Sequence, residues 1–499
     1  MAAARRRCRG RALTVAGRGR DHPAMAAFVV VLVIVAHRLL RLDLSQEWVA
    51  ALRPQLVLTA LLVAATVGGV LMRSLRLRLS LLLGLQWALW AWALVSKVVV
   101  DGTETAVPFL RGDYTKDLIF ASLVSVTVVT ARRLRALMWV TVLCLTVVAS
   151  VALPQRSGAR ECHYFKNAWT LNYEQTSDRR PCLAASDCYT VPKSESHLRD
   201  YGWACERTGP WGLATVTDRI HYFGSLMDPN GLALALVMAA ALALGLLTWP
   251  ANASTAPPSP LARVFLAGAV VLFAVALIFA ASRAAQFALA LVMLIFFYAR
   301  VGWPGVVLAG LCAAPVVMVS TRNAAEAAYS TLTRIWTYIN GYHALWENPL
   351  FGVGFENYGR ISFINAHNSF LLALTETGLL GGVLFTLGAY LPLKLGLAVL
   401  LWPGAPSDRA DAEELAELRH LARTLLAMLV GVTACVFFLS LAFDVLWLFP
   451  LAIMAGFHRA VRELLPDLTL RLRVVEIVLV GVLGALLPAG LIAVATRGW

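Results

Sequence analysis

Apolar blocks of about membrane-spanning length recur along the chain, each closed by charge, proline or glycine. A helix needs about 20 residues to cross about 30 Å of hydrocarbon. Blocks of that order lie at 25–41, 55–72, 79–96, 118–131, 136–153, 230–249, 264–281, 284–299, 305–320, 370–400, 421–442, 445–457 and 474–495. They predict twelve to thirteen spanning helices, with 118–131 and 445–457 the weakest. Two long polar segments, 154–218 and 321–368, interrupt the series. Of the 499 residues, 59% are hydrophobic and 14% charged, against about 45–50% and about 25% in soluble domains. The fold class is therefore an all-α polytopic membrane protein with a polar helical and loop segment on one side.

A net charge of +14 raises the question of nucleic acid, and its distribution answers it. The arginines come in short clusters at alternate loops: Arg73, Arg76 and Arg78; Arg132, Arg133 and Arg135; Arg459, Arg462, Arg471 and Arg473. That is the positive-inside pattern, so these loops are expected in the cytoplasm, and membrane lipid rather than nucleic acid is the partner. The Arg-rich stretch 1–24 joins them as a cytoplasmic tail, and Met25 is an alternative start. No small-x-small cleavage site follows the apolar run 26–36, which argues against a cleaved signal. The chain then divides into the tail 1–24, an N-terminal bundle 25–153 and an exported loop 154–218. A helical part 219–320, an exported segment 321–368 and a C-terminal bundle 369–499 follow.

The first exported loop holds Cys162, Cys182, Cys188 and Cys205. Four cysteines in an oxidising compartment read as two disulfides with three pairings open, and the spacing lacks the CxxC of a zinc site. Cys144, Cys312 and Cys435 fall within spans, as small packing residues. "WPANASTAPPSPLAR" reads as a flexible linker, and "SDRADAEELAELRHLAR" as a short amphipathic helix with a solvated face.

Polar residues at the exported ends of spans need a reason, because arginine there is disfavoured. In "FAASRAAQFAL", Ser282, Arg283 and Gln286 break a long apolar run, so a turn between two spans must fall there. In "TDRIHYFGSLMDPNGLALAL", Arg219 and His221 precede Asp228, Pro229 and Asn230, an ordinary N-cap arrangement. "TLTRIWTYINGYHALWENPLFGVGF" reads as an amphipathic helix carrying Arg334 and His343, with Trp336, Tyr338, Tyr342 and Trp346 as an interfacial belt, and then a turn. Its glycines permit positive φ. His367, next to Asn368 at the mouth of the following apolar helix, shares this face with Arg219, Arg283 and Arg334. Its reference pKa of about 6.5 suits proton transfer, and a neighbouring arginine favours the neutral form that a base requires.

These residues resemble a family. "HNSFLLALTETGLLG" is similar to the signature of the O-antigen ligase and polymerase (Wzy-C-like) superfamily, falling on His367, Asn368, Leu371, Leu374, Glu376, Gly378 and Leu379. "ENPLFGVGFENY" resembles its Pro-x-x-Gly-x-Gly turn at Pro349, Gly352 and Gly354. "ASRAAQFAL" is similar to its Ser-Arg-Gly element, with Ala284 in place of glycine, and "FGSLMDPNGLALAL" resembles its Pro-Asn helix start with Asp228 and Asn230. The four-cysteine loop departs from the family's proportions.

The resemblance implies a GT-C-like, inverting glycosyltransferase of the bacterial inner membrane with its site on the periplasmic side. It would use an undecaprenyl-diphosphate-linked glycan as donor, a glycolipid or glycan hydroxyl as acceptor, and no metal or other cofactor. His367 matches the general base. Arg219, Arg283 and Arg334, with Asn368, match groups that hold the diphosphate, and Asp228, Asn230, Gly352, Gly354, Glu376 and Gly378 support them. A polymerase using the same donor is the alternative within the family, and a lipid-linked glycan transporter the one outside it. An oligosaccharyltransferase-type site is disfavoured, because "LDLSQEW" has Asp43 and Glu47 but no paired acidic motif.

Overall fold

The computed structural model describes residues 22–72, 75, 80–166, 174–188, 203–319, 324–404 and 409–496. The stretch 1–21 and the arginines Arg73, Arg76 and Arg78 lie outside these residues. Every predicted span coincides with a helix. They are α1 (His22–Leu40), α2 (Pro54–Leu71), α3 (Leu81–Asp101), α4 (Asp113–Thr127), α5 (Ala131–Ala152), α6 (Pro229–Leu247) and α7 (Pro260–Ala280). There follow α8 (Arg283–Val301), α9 (Trp303–Met318), α10 (Ala324–Glu347), α11 (Ser369–Leu400), α12 (Arg409–Val436), α13 (Val445–Leu464) and α14 (Val474–Thr496). All but α10 answer to a predicted span, and α10 is the predicted amphipathic helix. Among the described residues nine helices are long and apolar enough to cross a bilayer, and Ala24–Leu40, Trp303–Val316 and Val474–Gly490 are shorter apolar helices. The remaining one, α4, has 15 residues and carries Asp113, Lys116 and Asp117 near its start. The molecule is an all-α polytopic membrane protein.

Helix α6 is the axis of the bundle. Its sequence, "PNGLALALVMAAALALGLL", is apolar all round, and such a helix is buried all round. Gly231 through Ala243 are buried without a break. Small residues let neighbours approach where lipid gives no hydrophobic drive between helices. A Cβ on Gly245 would lie 2.2 Å from Thr424 of α12, and His420 lies 2.7 Å from the Gly245 carbonyl oxygen.

Two expectations change here. The stretch read as a short amphipathic helix is the first half of α12, continuous with the span, because its Leu415, Leu418, Leu421 and Leu425 stripe extends the apolar seam. Glu417 and His420 on it are buried, not solvated. Glu417 accepts hydrogen bonds from the Ser254 hydroxyl and from Thr255 N–H at 3.1 Å, so the linker is tied to the bundle. Cys144 and Cys435 are packed inside, whereas Cys312 is exposed on the outside of α9.

The cysteine-bearing loop, among its described residues, is built on strands with short 3-10 turns. It holds a three-stranded antiparallel sheet, β1 (Arg160–Lys166), β2 (Glu174–Pro181) and β3 (Trp203–Arg207), in the order β2-β1-β3. The disulfides join Cys162 to Cys188 and Cys182 to Cys205. Disulfides replace the core that so small a unit lacks.

Candidate functional site

The site is built where the start of α11 meets the end of α10. The loop 348–357 runs back along α11 as if it were a strand. Val353 N–H donates to Thr375 O (2.9 Å), Gly354 N–H to Glu376 O (3.1 Å) and Leu379 N–H to Pro349 O (2.9 Å). The Ser96 hydroxyl of α3 lies between the carbonyls of Phe351 and Glu376, at 2.6 and 2.9 Å. These bonds become available because α11 breaks at Gly378 (φ 70°, ψ −173°). A broken helix inside a membrane protein must find partners for its freed backbone groups, and the loop supplies them. The approach demands glycine. A Cβ on Gly378 would sit 2.1 Å from Leu350 O, and one on Gly352 (φ 68°) 2.3 Å from Thr375 O. Buried Glu376 accepts from Tyr358 N–H at 3.1 Å, and Asp101 at the end of α3 takes Asn357 (2.8 Å) and Arg360 (2.7 Å).

Against this frame His367 is held by its main chain. Its N–H donates to the Ser440 hydroxyl (2.7 Å), and its carbonyl accepts from the Tyr338 hydroxyl of α10 (3.1 Å). The backbone is left-handed, with φ 48°. That conformation is uncommon for a non-glycine residue and gathers at functional sites. Asn368 is fully buried and caps α11, its Oδ1 accepting from Leu371 N–H at 2.9 Å. The Asn368 side-chain carbonyl oxygen, which the resemblance assigns to the diphosphate site, is thus occupied as a helix cap.

Arg219 is fixed by two acceptors, Ala280 O at the end of α7 and Asn230 Oδ1, both at 2.8 Å. Asn230 in turn donates to Asp228 Oδ1 (3.1 Å), and Asp228 caps α6 through Asn230 N–H (3.0 Å). Ala280 directly precedes the turn Ala281–Ser282, from which Arg283 starts α8. Arg283 is exposed, and among the described residues its guanidinium has no protein partner. Arg334 lies on α10 one turn before Tyr338.

Electrostatics ties these positions together. The His367 pKa is lowered to about 4, first by burial and then by the positive charge of Arg334, with Arg219 adding and Asp228 opposing. The arginine effect expected from sequence is present, but burial outranks it. His343 faces away, exposed and 3.3 Å from Glu347. Trp336 and Trp346 are 65% and 83% exposed, as an interfacial belt requires, whereas Tyr338 is 4% exposed and Tyr342 donates to Ala485 O at 2.5 Å.

A cavity of about 660 Å³ opens beside the loop, lined among others by Arg38, Arg41, Asp117, Asp228, Glu356 and Asp444, and by Ser440, the partner of His367. Arg38 pairs with Asp117, and Arg41 reaches Asp43 through two donors at 3.1 and 3.2 Å. Asp444 caps α13, and burial pushes its pKa up to about 7, with Asp117, Asp113 and Asp228 adding. Sequence reasoning passed over Asp444. The signal was there, a single carboxylate in the apolar run "LAFDVLW". Ser440 and Tyr338 gave no such signal, since both act through backbone contacts.

No curated protein matches the chain. A family model described as O-antigen ligase matches residues 267–386. The matched stretch contains Arg283, Arg334, the glycine loop, His367 and Glu376, and excludes Arg219, Asp228 and the disulfide-bonded sheet. The chain thus carries, within a multi-pass helical membrane protein, a stretch similar to the O-antigen ligase family.

Proposed function

We propose that the chain transfers a glycan from an undecaprenyl-diphosphate carrier to an acceptor hydroxyl at the periplasmic face of the bacterial inner membrane. The observation that carries this reading is the convergence on one mouth of a neutral, backbone-clamped His367 with the charges of Arg334 and Arg219. A sugar hydroxyl is a weak nucleophile, and a positioned base speeds its attack by about 10²–10⁴-fold. His367 would take the hydroxyl proton as the oxygen attacks the anomeric carbon opposite the diphosphate, giving inversion. The leaving diphosphate gains charge as the bond breaks. Arginine meets phosphate oxygens with planar, permanently charged donors. Preorganised cations stabilise that charge without a metal. Arg283, with its exposed guanidinium, would meet the diphosphate together with Arg219 and Arg334, and the latter two also set the field around His367. Asn368, Glu376, Asp228 and Asn230 hold these groups in place.

A transporter would set its ionisable groups near the bilayer midplane. Here the cationic and acidic groups of the site gather at helix ends, which favours an enzyme. The same constellation would serve a polymerase, and the acceptor decides between the two. The test is transfer by purified protein from an undecaprenyl-diphosphate-linked glycan to a lipid A-core acceptor or to a second donor molecule. Product on lipid A-core supports the ligase, and product only on the second donor supports the polymerase. No transfer to either, with folded protein, contradicts the proposal.

A further inference from the structure

Strand β3 uses three successive residues to hold one turn. Cys205 is bonded to Cys182 at the end of β2. The Glu206 carboxylate, 6% exposed, accepts from the Thr215 hydroxyl (2.6 Å), Thr217 N–H (2.7 Å) and Asp218 N–H (3.1 Å). Arg207 lies 3.4 Å from the Asp218 carboxylate, which Arg160 of β1 also meets at 2.7 Å. The turn they hold runs from Val216 to Arg219, closed by Val216 N–H to Arg219 O (2.9 Å) and Arg219 N–H to Val216 O (3.1 Å). Its central residues, Thr217 and Asp218, are both left-handed, with φ 53° and 57°.

A two-residue turn with positive φ at both centres is the type that favours Asn-Gly. A β-branched threonine is poorly suited to it. Thr217 and Asp218 keep the conformation because one carboxylate takes both their N–H groups and two arginines hold the Asp218 side chain. The residue that leaves the turn is Arg219, whose guanidinium reaches Ala280 and Asn230. On its far side Gln155 clamps the His221 backbone through bonds of 2.7 and 3.3 Å.

We propose that Glu206 is a positioning residue that aims Arg219, so that the disulfide-bonded sheet serves as the mount for a phosphate-facing arginine. This rests on the role proposed for Arg219 beside the diphosphate. Glu206 touches no substrate, and its effect runs through the turn. Misplacing a binding group by about 1 Å costs up to about 10²-fold.

The experiment is a double-mutant cycle on the full-length, detergent-purified protein, reading kcat/KM for the lipid-linked donor and a thermal melt. Glu206→Ala, Arg219→Ala and the double variant are compared, with Glu206→Gln as a milder change that keeps one acceptor oxygen. Interactions that act through one residue are non-additive. Glu206→Ala is expected to lose about 10–100-fold in the wild-type background and almost nothing further once Arg219 is alanine. Glu206→Gln is expected to lose less, and it runs the same cycle if Glu206→Ala does not fold. Equal losses in both backgrounds would overturn the inference, since Glu206 would then act only on the fold. Full activity of Arg219→Ala would instead remove the role proposed for Arg219 itself, and the inference with it.

Discussion

Two parts of the molecule deliver a side chain to the same mouth by opposite means. The loop before α11 delivers His367 through main-chain bonds to the spanning helices, with glycines where backbones touch. The disulfide-bonded sheet delivers Arg219 through a buried carboxylate, two arginines and two disulfides. The first frame borrows its rigidity from the membrane bundle, where unpaired backbone groups are costly. The second stands apart from the spanning helices and adds covalent links to its buried carboxylate. The family match covers the first frame and stops short of the second. On the proposed mechanism the base lies within the matched stretch, and the mount of Arg219 lies outside it.

The difference can be broken from either side. The largest effect is expected at His367. His367→Gln keeps a polar side chain without a usable base and should lose about 10²–10⁴-fold in single-turnover rate, with donor binding retained in an equilibrium assay. Arg283→Lys comes next. Loss of the planar fork should cost about 10–100-fold in kcat/KM, the worth of one charge-assisted hydrogen bond of roughly 1.5–3 kcal/mol. Full activity would make Arg283 a surface anchor. Gly378→Ala tests the first frame directly. The left-handed backbone alone costs about 1–3 kcal/mol, and the Cβ would also meet Leu350 O, so a lowered melting temperature with lost activity is expected. Opening the second frame with Cys182→Ser and Cys205→Ser should remove about 2–4 kcal/mol from the stability of the sheet. Limited proteolysis should then cut within 154–218 and leave the bundle intact. The smallest effect expected is that of EDTA, which should leave turnover unchanged if arginines alone meet the diphosphate. A loss restored by magnesium would refute that part of the mechanism.

How far the sequence could be read follows the same division. Spanning helices declare themselves by length and apolarity, so each predicted block is a helix. The turn at Ser282–Arg283 and the cap at Asp228 were legible because a charge or a capping residue inside an apolar run marks the end of a helix. The break in α11 at Gly378 was not, since the stretch falls inside one long block of spanning length and only the docked loop reveals why the helix opens. The sheet was missed because its strands are polar, without the alternation that marks a half-buried strand, and because β3 pairs with β1 across the whole of β2. The left-handed backbone of His367 and the buried turn acceptor Glu206 depend on tertiary contacts that no local pattern encodes. Continuity of α12 was underestimated because its charged residues suggest a solvated face, whereas Glu417 is buried against the linker.

The central claim is that His367 is the base, and its pH dependence tests it most directly. The active form is the neutral imidazole. Burial and Arg334 lower its pKa to about 4, so the unprotonated fraction grows as pH rises through about 4 and is complete well below neutrality. Single-turnover transfer by wild-type protein should therefore fall only as pH drops towards 4 and stay level from about 5 to 8, with that acid limb absent from the residual rate of His367→Gln. A limb centred near 7 that persists in His367→Gln would contradict the account and move the proton acceptor to Asp444, the cavity carboxyl whose pKa burial pushes up to about 7.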